Sequence, residues 1–384
     1  MEENKTFISS IKSKFIIKKI FYNLKQTKYL NIIRYNKKLQ YIFNKDINNY
    51  REYLKIEIEI ITDGYIIEEI PIINIQKEQD KPHFHIFFNN KKYEIKKYSF
   101  TNEDNVRNIK IIIDPEIKSL KKLFKNCYYY RKINFIKFNR KDITDMSYMF
   151  YNCEFLEELN LTNFNTTNVT NMSNMFNNCK FLNHLNVSNF NTKKVIDMSH
   201  MFENCSTLKE LNVSNFITNN VTNKAGMFSN CFVDKLLVSN FNTNKVTNME
   251  KMFSGCAFIK KLNVSNFNTK NVTNMSHMFF ECKTLKGLDL SNFNTSKVTD
   301  MNSMFKECKL LKELDLSSFN NQNVKDMDYM FHECSSLKKL VFHDYNKNRK
   351  TNKNYMFLGC KKLESYDIIW KFMILEQNQG RLGF

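Results

Sequence analysis

Ten cysteines and seven histidines are the residues of this chain best equipped for chemistry, and their spacing decides which chemistry to expect. Cys127, Cys153, Cys179, Cys205, Cys231, Cys256, Cys282, Cys308, Cys334 and Cys360 are 26 residues apart at every step but one, which is 25. Structural zinc sites pair thiolates at close spacing, and no Cys-x-x-Cys occurs. Regular cysteines can mark a disulfide framework in small secreted chains, and distance alone would not exclude bridges between adjacent units. However, from Cys153 on, each Cys stands three residues after the Phe of a Met-Phe pair. The thiols from Cys153 to Cys360 are therefore expected to form a structural column, buried, free and reduced, each acting as a small hydrophobe with a weak donor.

The histidines are His83, His85, His184, His200, His277, His332 and His343. His83 and His85 would share one side of a strand, with no third ligand of suitable spacing nearby. His200 and His277 hold the same repeat position three units apart, about 15 Å at strand spacing. No metal site and no cofactor are expected. Neither a phosphate loop, a G-x-G-x-x-G nor a nucleophile elbow occurs. The chain is read as a non-enzyme.

What the sequence offers instead is a repeat. Met-Phe recurs at 149, 175, 201, 227, 252, 278, 304, 330 and 356, and a fixed period of this size means stacked units. In the unit from Cys153 to Phe176, Leu156, Leu159 and Leu161 follow the L-x-x-L-x-L spacing of a short strand. Phe164 and a turn at Asn165-Thr166 follow. Val169, Met172, Met175, Phe176 and Cys179 then recur every three or four residues, which predicts a helical or 3₁₀ return segment. Columns of Asn (from Asn163) and Thr (from Thr166) should satisfy loop backbone groups. The expected fold class is an α/β repeat: a leucine-rich-repeat solenoid with short parallel strands, preceded by a helical and β-rich N-terminal region.

Four segments follow. Residues 1–53 form a basic helical segment with apolar residues at helical spacing and breaks near Gln26-Thr27 and Tyr35-Asn36. Residues 54–118 form a small β-rich cap, with strands expected around Ile56–Ile60, Phe84–Phe88, Tyr93–Ile95 and Ile109–Ile113. Residues 119–367 hold about nine to ten 26-residue rungs, and 368–384, with Trp370, form a C-terminal cap. The net charge of +19 invites nucleic acid or an acidic membrane surface as partner, but heavy Lys usage alongside Ile and Asn accounts for it and neither is favoured. No signal-peptide apolar region and no run of about 18 apolar residues occurs. An intracellular, cytoplasmic location is therefore expected over the cell surface.

The unit M-F-x-x-C-x-x-L-x-x-L-[ND]-[LV]-S-N-F-N-T-x-x-V-T-[ND]-M-S, over roughly 120 to 360, resembles the BspA-like leucine-rich repeat proteins. That resemblance implies a binding solenoid, and for bacterial members a surface adhesin. More loosely, F-I-I-K-K-I-F-Y-N-L and Y-L-N-I-I-R-Y-N-K-K-L-Q are similar to an F-box, although the usual Leu-Pro opening is missing. This implies a substrate adaptor whose residues 1–50 hold a ubiquitin-ligase core.

The reading preferred is a protein-binding scaffold whose partner the sequence does not name. Its face would be the outward strand positions: Glu157, Glu158, Asn160, His184, Asn186, Lys209, Glu210, Asn212, Lys260, Lys261, Asn263, Lys286, Asp289, Lys312 and Asp315. The rung over 222–239 breaks the pattern: Lys224 replaces a Met, one residue is missing, and Leu237 stands where Asn or Asp is usual. Leu237 is thereby expected to be an exposed apolar residue within the face.

Overall fold

The computed structural model describes residues 13–22, 24, 26–63, 68–342 and 350–363. The C-terminal cap expected over 368–384, His343 and most of the basic loop before Lys350 lie outside the described residues.

Four short helices open the described chain: α1 (Lys14–Tyr22), α2 (Gln26–Ile33), α3 (Lys37–Phe43) and α4 (Ile47–Leu54). The break expected at Gln26-Thr27 falls earlier, because those residues begin α2. Asn36 caps α3 by accepting from the Leu39 N–H at 3.1 Å. Asp46 and Asn49 form a reciprocal capping box on α4, satisfying two end groups that the helix itself leaves open. Ile17, Phe21, Ile33, Leu39 and Ile42 pack into a small core of their own. The helices reach the rest of the protein partly through polar contacts, with Lys137 Nζ donating to the Glu52 carbonyl at 2.7 Å and Asn139 Nδ2 to the Tyr53 carbonyl at 3.2 Å.

The alternating isoleucines then build a sheet. Strands β1 (Ile56–Thr62), β3 (Phe84–Phe88), β5 (Asn108–Ile113), β6 (Tyr130–Lys137) and β7 (Glu158–Asn160) lie in the order β3-β5-β1-β6-β7. A separate pair joins β2 (Ile70–Pro71) to β4 (Ser99–Phe100). The expected strand at Tyr93–Ile95 is only a single bridge, Ile86 to Ile95. The first four strands of the large sheet are antiparallel, whereas β6 and β7 are parallel, with Ile133 opposite Leu159. The cap sheet thus runs directly into the first rungs. A single apolar core extends from Ile56 to Phe357.

The rungs stack in register along one unbroken line of parallel bridges: Ser119, Asp145, Asn171, Asp197, Asn223, Asn248, Asn274, Asp300, Asp326 and Asn352. This line lies on the Met-Phe-Cys side, where a helical or 3₁₀ return was expected; single i to i−3 turns occur there, but no continuous helix of either kind. Asn174 and Asn178 adopt left-handed backbone, φ 57° and 63°, and the corresponding residues of the other rungs do the same. A left-handed residue every four positions excludes a helix. Turns of i to i−3 type instead alternate with bonds to the next rung. Met172, Asn174, Phe176 and Asn178 donate to the carbonyls of Asp197, Ser199, Met201 and Glu203 at 2.8–3.0 Å. Four such bonds recur at every described interface, including those of the irregular rung. The apolar spacing of three and four had come from successive turns.

The parallel strands are also less continuous than expected. On the Leu159 side the bridges run from Glu158 to His184 to Glu210, and resume only where β8 (Glu313–Asp315) pairs with β9 (Lys339–Val341). Ring spacings also differ between the two sides. Phe150 and Phe176 stack with centroids 5.6 Å apart, whereas Phe164, Phe190 and Phe216 are 6.1 and 6.5 Å apart. The rungs are spaced more widely away from the Met-Phe-Cys side, and the bridges there lapse at the irregular rung. Side chains bridge the gap. Thr192 Oγ1 donates to the Ile217 carbonyl at 3.0 Å and accepts from the Ile217 N–H at 2.7 Å. Asn189 Nδ2 reaches three carbonyls of the preceding rung.

Candidate partner-binding face

The cysteine column is internal. Cys153, Cys179, Cys205, Cys256, Cys282, Cys308, Cys334 and Cys360 each donate S–H to the carbonyl of the Phe one rung earlier, at 3.0–3.2 Å. The series skips Cys231, in the irregular rung. All ten cysteines are free, and burial pushes the thiols up, to about 12 at Cys231 and Cys360. Such thiols stay protonated, whereas thiolates are what attack carbon or bind metals.

All sixteen residues expected on the outward face are exposed, Leu237 by 48%. Their roles divide. Asn160, Asn186, Asn212, Asn263, Asp289 and Asp315 each accept from the N–H two residues on, at 2.8–3.1 Å. These are turn-forming contacts, so that column is structural as well as exposed. Ser291 hydrogen bonds hold the Asp289 carboxyl below its usual range. Glu157 pairs with Arg131 at 2.8 Å and Glu158 with Lys132 at 2.6 Å, so the acidic start of the face is neutralised from within. Lys260, Lys261 and Lys286 form no ion pair among the described residues.

A further column was missed. Phe155, Phe181, Phe258 and Leu310 stand two residues after a repeat cysteine and are 37–50% exposed, at one edge of the face. Phe155 and Phe181 stack at 5.3 Å, and Phe258 meets exposed Phe232 edge-on at 5.5 Å. The signal was present in the sequence as Cys-x-Phe, beside rungs that carry Thr or Ser there. The irregular rung adds a groove of about 460 Å³ lined by Asp234, Lys235, Leu237, Lys260, Lys261 and Asn263 among others. Leu237 lines it because a Leu side chain cannot form the turn contact that Asn makes elsewhere.

The repeats are matched by the model of a family described as "Mycoplasma protein of unknown function, DUF285", over residues 118–236, 207–287 and 258–370. The chain belongs to the DUF285 family. The match begins at residue 118, so it lends no support to the F-box-like resemblance of residues 1–53. No curated protein matches the chain. Among solved structures, a leucine-rich repeat protein from Bacteroides ovatus is 14% identical, covering 78% of this chain and 93% of its own, with a TM-score of 0.29. A leucine rich cell surface protein from Faecalibacterium prausnitzii is 16% identical, covering 68% and 86%, also at 0.29. Likenesses this remote carry no functional inference. No helix among the described residues is long and apolar enough to cross a membrane.

Proposed function

We propose that this DUF285 protein is a non-enzymatic scaffold, a leucine-rich-repeat solenoid that binds a protein partner along its outward strand positions. The observation that carries the reading is the line of exposed rings, Phe155, Phe181, Phe232 and Phe258, beside that face and the Leu237 groove. Large aromatic side chains half out of water, with the unpaired Lys260 and Lys261 at the groove beside them, are what protein interfaces use as anchors. The BspA-like form of the repeat supports the same use of the face. The partner is expected to present apolar side chains flanked by carboxylates, to complement Lys235, Lys260 and Lys261. The site of action is proposed to be inside the cell.

The test is affinity capture from host lysate after nuclease treatment, comparing the full chain with Phe155→Ser, Phe181→Ser and Leu237→Ser combined. Loss of a specific protein by the variant, with an unchanged circular dichroism spectrum, supports the face. Equal capture by both proteins removes it. Cleavage by protease added to intact cells would move the site of action to the surface and favour an adhesin.

A further inference from the structure

The edge of the N-terminal sheet near α4 carries a cluster that the binding face does not use. Phe84 of β3 pairs with Ile113 of β5, so His83 and Asp114 are the next residues on each side. The Asp114 N–H donates to the His83 carbonyl at 2.9 Å. His83 ends a 3₁₀ turn rather than sharing the strand with His85, and Glu116 follows close behind Asp114. His83 Nδ1 lies 3.6 Å from Asp114 Oδ2 and 3.8 Å from Glu116 Oε2. One ligand atom from each of the three residues lies within 4.8 Å of the others. Donors held at about 2.0–2.2 Å around a tetrahedral ion stand about 3.3–3.6 Å from one another. The two distances from His83 are within a few tenths of an ångström of that range, and the two carboxylate oxygens lie within 4.8 Å of each other.

We propose that His83, Asp114 and Glu116 bind a divalent transition-metal ion of the Zn²⁺ type, with water in the remaining position. One imidazole and two carboxylates suit zinc or cobalt, whereas magnesium prefers oxygen donors alone.

The surroundings fix the donors. Arg51 holds Glu116 Oε1 at 2.7 Å and Lys55 stands 3.6 Å from Asp114 Oδ1, which leaves Oε2 and Oδ2 turned toward His83. Asp114 Oδ1 is buried with only the Lys55 ammonium near it, so Oδ2 is the oxygen open to His83. His85 lies with Nε2 3.2 Å from Asp114 Oδ2 and Nδ1 3.3 Å from Glu94 Oε1. A carboxylate–imidazole relay of this kind orients a ligand, which makes His85 a positioning residue. The fully buried Arg140 donates to the carbonyls of Asp114 at 3.2 Å and Ile117 at 2.5 Å, locking the turn before any ion arrives. Arg51 and Lys55 also repel a cation, so affinity should be moderate. His83 and Glu116 are about one-third exposed, which opens a path from solvent.

The experiment uses the full chain stripped with EDTA and titrated with ZnCl₂ by calorimetry and with CoCl₂ by absorption. One equivalent of Zn²⁺ is expected, with a rise in Tm. His83→Ala and Glu116→Gln should each weaken binding at least tenfold, His85→Ala less, and His200→Ala not at all. Cobalt should give only the weak visible bands of nitrogen and oxygen ligands. Absence of binding, binding indifferent to both His83→Ala and Glu116→Gln, or an intense near-ultraviolet cobalt–thiolate band would each overturn the site.

Discussion

On the Met-Phe-Cys side, neighbouring rungs are joined backbone to backbone by four N–H···O bonds, with rings 5.6 Å apart. Across the same rung, on the Phe164 side, the rings are 6.1–6.5 Å apart and the joints pass through Asn and Thr side chains. The close side needs small left-handed turns and a column of uniform rings. The open side varies more, and it is there that Leu237 replaces Asn and the line of bridges lapses while the close-side bonds continue. The comparison teaches that one repeat keeps its backbone joints on one edge, even past the Lys that replaces Met at 224, and lets them lapse on the other.

The largest test of that division is Phe202→Ala, on the close side between Phe176 and Phe228. Urea unfolding should show a loss of about 3–5 kcal/mol. A loss below about 1 kcal/mol would mean that the close side does not carry the stack.

Nearly as large, and opposite in sign, is Lys224→Met. Lys224 is fully buried, its Nζ lacks a hydrogen-bond partner, and it lies 5.4 Å from the centre of the Phe241 ring. Burial lowers its pKa from 10.5 to about 7. Below about pH 7 the amine is charged in both folded and unfolded chains and the full burial penalty is present. Between about 7 and 10.5 only the unfolded chain is charged, so stability rises with pH and the penalty fades. The substitution should therefore stabilise on the order of 4 kcal/mol at pH 7. The gain should shrink steadily in unfolding curves measured toward pH 10, and a gain that does not change with pH would refute the charge account.

Thr192→Val probes the open side, because it strands the Ile217 N–H and carbonyl that Thr192 Oγ1 now serves. A cost of about 1–3 kcal/mol is expected. A neutral result would show that water, rather than threonine, serves this joint. Smallest of all is Phe181→Ser on the exposed edge, which should change stability by about 0.5 kcal/mol or less while weakening partner capture.

Much of this was legible from residue types. The period, the cysteine column, the alternating apolar residues of β1, β3 and β5, and the exposure of Leu237 all follow from side chains whose burial is set locally. The return segment was misread because Val169, Met172, Met175, Phe176 and Cys179 have helical spacing. Asn152, Asn178, Asn204, Asn230 and Gly255 were the better guide there, since Asn and Gly favour left-handed backbone. Tyr148, Lys251 and Glu281 hid that signal by taking up the same conformation. The cluster at His83 was out of reach for a different reason. Asp114 and Glu116 come near only through the antiparallel register of β3 with β5, which no spacing along the chain reveals.

On the close side four bonds per interface point forward along the stack, and one, such as the Ile196 N–H to the Thr170 carbonyl, points back. The peptide unit joining Asn171 to Met172 accepts from Met146 behind it and donates to Asp197 ahead of it, and three further units of each rung do the same. Ordinary sheets cancel most of their peptide dipoles by alternation. Here the amides form four head-to-tail chains running through the stack, as they do in a helix, where alignment leaves roughly half a charge at each end. The forward bonds outnumber the backward one, so the stack keeps a net dipole, with its carbonyl-bearing negative pole at the cap sheet and its amide-bearing positive pole at the last rung. That backbone term favours a cation at one end and an anion at the other, in addition to whatever the side chains there contribute.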